Sequence, residues 1–97
     1  MINEKVIHRI NEAHEKNLTV LYLDVYNLAE LPPEIGILEN LKELDLSQNK
    51  LTQLPPEIRE LKNLEILNLY DNQLTQLPPE IGELKNLKSL NLGMMKL

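Results

Sequence analysis

No cysteine occurs in these 97 residues, and neither does tryptophan or phenylalanine. Without cysteine there is no disulfide frame and no thiolate metal site. That absence fits a reducing compartment, and the expected location is cytoplasmic. Three tyrosines are the whole aromatic supply, so the core must be built from something else. The three glycines, Gly36, Gly82 and Gly93, stand apart and make no phosphate-cradling loop. No apolar run approaches the roughly 20 residues that span a bilayer. The opening MINEKVIHRI lacks the apolar stretch of a secretion signal, so the Asn17-Leu18-Thr19 sequon reads as chance. Positive charge is also short: 10 Lys and Arg against 15 Asp and Glu leave a net charge of −5. No overall field draws phosphate backbones, and nucleic acid is not an expected partner.

Leucine is what the chain has, 22 times. The leucines fall in a register. LTVLYLDVYNL (18–28), LKELDLSQNKL (41–51), LEILNLYDNQL (64–74) and LKSLNLGMMKL (87–97) begin 23 residues apart, without a gap. Between them lie AELPPEIGILEN, TQLPPEIRELKN and TQLPPEIGELKN, and the octapeptide LTQLPPEI occurs twice. In LKELDL, Leu44 and Leu46 alternate with Glu43, Asp45 and Ser47, which is a strand with one wet face. Leu67 and Leu69 do the same against Ile66, Asn68 and Tyr70. One such unit cannot bury its leucines alone, but stacked neighbours can. Pro55 and Pro56 then stop the ladder, because proline lacks an N–H and fixes φ. Pro56 suits the first turn of a short helix or 3₁₀ turn, with Glu57 at its positive end. Ile58 and Leu61 face inward from that turn, and Asn63 is expected to make the return turn with left-handed geometry.

The pattern L-x-x-L-x-L-x-x-N-x-L, four times in phase over residues 18–97, resembles that of leucine-rich repeat proteins. The LPPEIG wall is similar to the 23-residue repeats of leptospiral and cyanobacterial members and to the arrays preceding Roco GTPase domains. The resemblance implies an α/β fold: a right-handed solenoid with a short parallel sheet on its concave face. It also implies that Asn49 and Asn72, the ninth residues of their lines, point inward and bond backbone groups of adjacent coils. Tyr26 and Met95 hold that place in the outer lines.

Residues 3–16 read as an amphipathic helix. Asn3 is its cap and Asn17 its stop; Val6, Ile10 and Ala13 share one face, extended by Ile2 and Leu18. Residues 1–17 are expected to cover the open end of the first of four repeats (18–97, the last incomplete), and resemble the helix before the first repeat of cyanobacterial members of the family. A membrane-surface helix is the rival reading, but basic residues do not dominate its polar side.

Catalysis is not expected. His8 and His14 are about 240° apart around a helix, there is no metal-binding H-E-x-x-H, and Ser47 and Ser89 have no nearby base. No catalytic residue, metal ligand or cofactor is assigned. Function is sought where the repeats differ, at the third, fifth and seventh places of each line. These give Val20, Tyr22 and Asp24; Glu43, Asp45 and Ser47; Ile66, Asn68 and Tyr70; Ser89, Asn91 and Gly93. Val25, Gln48, Asp71 and Met94 follow at the rim. The face is acidic in its first half and carries two tyrosines, which suit an interface. The expected function is therefore protein binding through Val20, Tyr22, Asp24, Glu43, Asp45, Ile66, Asn68, Tyr70 and Asp71, with a positively charged, partly apolar partner. The competing view is that solvent positions simply drift, leaving a self-assembling or minimal, engineered repeat unit with no dedicated ligand. The off-pattern DVYNLAE argues against design.

The last line stops at Leu97 before another LPPEI wall. Leu90, Leu92, Met94, Met95 and Leu97 are expected to form a self-association patch, in an end-to-end homodimer or by exchange of terminal segments. The alternative is that the two methionines fold back as a makeshift cap.

Overall fold

The computed structural model describes residues 3–95. Leu97 and Ile2, assigned above to the self-association patch and to the helix face, lie outside them.

Helix α1 runs Glu4–Glu15. Asn3 starts it: its side-chain Oδ1 accepts the N–H groups of Lys5 at 3.1 Å and Val6 at 3.2 Å, two donors that a helix start leaves unpaired. It ends at Lys16, and Asn17 turns the chain with φ of 52°. Lys16 reaches back one turn to Glu12 at 3.2 Å; that hydrogen bond and charge hold the Glu12 carboxyl below its ordinary pKa. Val6, Ile10 and Ala13 are buried and join the leucine core. Helix α1 packs against the wall of the first coil.

Four strands follow: β1 Val20–Tyr22, β2 Glu43–Asp45, β3 Ile66–Asn68 and β4 Ser89–Asn91. They form one parallel sheet in sequence order, and each residue pairs with the one 23 positions on. The ladder continues past the strand ends. The N–H groups of Leu23, Leu46 and Leu69 donate to the carbonyls of Asp45, Asn68 and Asn91 at 2.8–2.9 Å. The opposite wall is three 3₁₀ turns, Pro33–Ile37, Pro56–Glu60 and Pro79–Glu83, each with its second proline in the first position. The fixed φ of proline is suited to that place, and its missing N–H is not needed there. Leu44, Leu46, Leu67 and Leu69 are fully buried between sheet and wall, as are Ile58 and Leu61. The resulting solenoid measures 35 × 30 × 18 Å.

The asparagine ladder forms as the repeat implies. Asn49 Oδ1 accepts the N–H groups of Tyr26 and Leu28, both at 3.0 Å. Its Nδ2 donates to the carbonyls of Leu23, Leu46 and Ser47 at 2.9–3.2 Å. Asn72 accepts from Leu51 N–H and donates to Leu46 and Leu69 carbonyls. In the first line Tyr26 replaces the asparagine and is held from the helix. Arg9 Nη1 donates to its hydroxyl at 3.0 Å, and Asn3 Nδ2 donates to its carbonyl at 3.3 Å.

Two expectations are corrected. Asn63 does not adopt left-handed backbone; its side chain donates to the Glu39 carbonyl at 2.9 Å. Asn86 donates likewise to Lys62, and Asn40 to the side chain of Asn17. These residues tie successive coils together at the start of each strand. Besides Asn17 and Asn27, the left-handed residues stand at the eighth places, Val25, Gln48, Asp71 and Met94, with φ of 55–62°, where each strand turns toward its inward ninth residue. Ser47, counted as solvent-facing, is only 8% exposed. Its hydroxyl is turned to Asp45 Oδ1 at 2.6 Å, which removes it from the wet face.

Candidate functional site

The sheet face is a grid set by the ladder. Along the third places run Val20, Glu43, Ile66 and Ser89; along the fifth, Tyr22, Asp45, Asn68 and Asn91. The seventh places carry Asp24, Ser47, Tyr70 and Gly93. Ser47 excepted, alternation explains why these residues are out: the leucines between them fill the core. Cross-strand neighbours on one face sit about 4.8 Å apart, and alternate residues along a strand about 7 Å apart.

Tyr22 is 52% exposed, Tyr70 39% and Ile66 38%. Val20, Asp24, Glu43, Asp45, Asn68 and Asp71 are half-buried. The fifth-place polar residues are partly used by the fold. Asp45 Oδ1 accepts the N–H of Ser47, Asn68 Oδ1 that of Tyr70, and Asn91 Oδ1 that of Gly93, at 2.9–3.0 Å. Each closes the backbone where its strand ends, an asparagine or aspartate turn that the sequence pattern did not flag. Tyr70 has a seat of its own: a Cβ at Gly93 would come within 2.9 Å of Tyr70 Cδ1. The ring therefore leans over Gly93, toward the fourth coil and away from the second.

The fourth coil differs from the others. Leu87, Leu90 and Leu92 are half-buried where their counterparts in the second and third lines are fully buried. Met94 is exposed and Met95 packs partly against the core. Elsewhere, His8 and His14 lie exposed on α1. Among the described residues no three His, Cys, Asp or Glu side chains gather as a metal set. No helix there is long and apolar enough to cross a membrane.

A family model described as a leucine-rich repeat region matches residues 5–97. The chain belongs to the leucine-rich repeat family. Among solved structures, a leucine-rich repeat protein of Leptospira interrogans matches this repeat chain with a TM-score of 0.70 and 54% sequence identity over 71% of its length. The repeat chain spans only 18% of that protein. No curated protein matches it. The 54% identity extends the likeness from fold to repeat type, in keeping with the coils described above.

Proposed function

We propose that this leucine-rich repeat chain is a non-catalytic protein-interaction module that binds a partner protein through its concave sheet face. The observation that carries the reading is the exposure of Tyr22, Ile66 and Tyr70 at places where the fold asks for no apolar side chain. Tyrosine offers a large, stiff contact area at small entropic cost, and half-exposed aromatic residues on a rigid sheet make natural anchors. Val20 on the edge strand and Asn68 in the middle complete that face, with Asp24, Glu43, Asp45 and Asp71 providing its charge.

Affinity capture tests this. Wild type, the Tyr22→Ala/Tyr70→Ala variant and an outer-wall Glu57→Arg/Glu80→Arg control are compared, and retained proteins are identified. The expected result is a protein held by wild type and the wall control but lost from the tyrosine variant, since truncating an anchor costs about 2 kcal/mol or more. Equal retention by all three would refute the concave-face reading.

A second reading, self-association through the fourth coil, is favoured by the half-buried Leu90 and Leu92 and the exposed Met94. Sedimentation equilibrium at micromolar concentration should then give a mass above 11.2 kDa that returns to the monomer value in Met94→Asp/Met95→Asp. A monomer unchanged by that substitution would refute it.

A further inference from the structure

Asp45, Asn68 and Asn91 hold the same place in successive coils and make the same bond to the N–H two residues on. Two of the three make it with an amide. The turn thus requires an oxygen and has no use for a negative charge, so the charge of Asp45 is surplus to the fold. The Ser47 hydroxyl and N–H both occupy Oδ1, which fixes the carboxylate. Among the described residues Oδ2 meets no donor. Directly across the ladder from Asp45 lies Tyr22, the more exposed of the two face tyrosines. Asp24 is the next outward residue after Tyr22, and Glu43 lies on the diagonal. None of the third, fifth, seventh or eighth places in any line is lysine or arginine. Among the described residues the ion pairs lie elsewhere, at Arg9–Glu12, Lys16–Glu12, Arg59–Glu60 and Lys88–Glu65.

An exposed aromatic ring beside uncompensated carboxylates attracts a cation, through the ring's negative face and through charge. The geometry points to a receptor for one arginine side chain of the partner protein, its guanidinium stacked on Tyr22 and its N–H groups donating to Asp24 and Asp45. Charge complementarity makes the occupant cationic, and two features select arginine over lysine. The carboxylates stand on two sides of the ring, and a planar guanidinium has donors along its edge to reach both. At a site this open, the compact ammonium of lysine keeps its water, whereas the more weakly hydrated guanidinium can stack. Tyr70, tilted over Gly93, leaves room above Ser47 for the backbone that delivers the side chain. This assignment rests on the concave-face reading and names the chemistry that face recognises.

The test is an NMR titration of the isotope-labelled full chain with N-acetylarginine methylamide at millimolar concentration, beside the lysine analogue. Expected are shifts at the amides of residues 20–25 and 43–48 and at the Tyr22 ring, with the lysine analogue weaker. Tyr22→Leu keeps the apolar area but lacks the phenol ring, and should lower the arginine affinity roughly two- to fivefold. Asp45→Asn retains the turn as Asn68 does and should lower it similarly. Shifts spread equally over outer-wall carboxylates such as Glu57 and Glu80, or indifferent to both substitutions, would overturn the assignment. If arginine finds no site here while the tyrosine variant still loses a captured partner, the receptor fails and the concave-face reading stands. If arginine binds here but capture ignores the tyrosines, the cation-binding chemistry stands, while the concave-face reading and with it the partner-protein role of the receptor fail.

Discussion

Asn49→Ala is expected to destabilise the protein by about 3–5 kcal/mol, a large share of the roughly 5–15 kcal/mol that holds a domain folded. The side chain is 7% exposed and serves backbone groups in two coils. Alanine leaves the N–H groups of Tyr26 and Leu28 and the carbonyl of Leu23 without it. Each buried polar group left unpaired costs about 1–3 kcal/mol, and neighbouring losses do not add fully. Asn72 makes three bonds instead of five, so Asn72→Ala should fall below Asn49→Ala. Urea denaturation followed by circular dichroism gives both values. A loss under about 1 kcal/mol for Asn49→Ala would mean that water replaces the amide and that the ladder carries little stability.

Leu67→Ala should cost about 2–5 kcal/mol, the transfer term for the lost methyl groups plus the cavity they leave. Leu67 is fully buried, with coils on both sides, and its ladder neighbours Leu44 and Leu90 pair directly with it. Leu90→Ala provides the internal comparison, since it removes the same atoms at the same repeat place from a half-buried site. Its cost should be about half or less, because the side chain already sees water and a hole at a surface fills. The same denaturation curves measure both, and equal losses would contradict the difference in burial between the third and fourth coils.

Much of the architecture was legible because its causes are periodic. Alternating leucines, paired prolines and the 23-residue register specify strand, wall and stacking in short-range terms. The strands end one residue before Leu23, Leu46 and Leu69, although the alternation runs through those leucines. Their N–H groups nevertheless remain in the ladder. Asn3 and Asn17 mark α1 because capping is local chemistry. What was not legible depends on the neighbouring coil. Val25, Gln48, Asp71 and Met94 take left-handed φ although none is glycine or asparagine. The inward pull of the next residue imposes it, joined at Val25, Gln48 and Asp71 by the rung each N–H makes to the next coil, at a cost largest for β-branched Val25. Asn63 is an ordinary turn residue by type. Only the coil before it supplies the Glu39 carbonyl that occupies its side chain. Of the face residues, alternation places Tyr22, Ile66 and Tyr70 outward. It does not reveal that Asp45 and Asn68 each spend one oxygen on the backbone, or that Tyr70 rests on Gly93.

The constant register has a kinetic meaning. Every rung of the sheet joins residues 23 apart, so closing each successive coil carries nearly the same loop entropy. The coils then differ in folding order only through what each buries. The first is closed by α1, with Val6, Ile10 and Ala13 against its leucines. The second and third bury theirs completely, and the fourth does not. Assembly in such a one-dimensional array nucleates where local and neighbour terms are strongest and spreads by nearest-neighbour steps. Folding is therefore expected to zip from the helix-covered first coil and its fully buried neighbours toward β4. Opening runs the other way, with the β4 amides exchanging with solvent through partial unfolding that leaves β1–β3 intact.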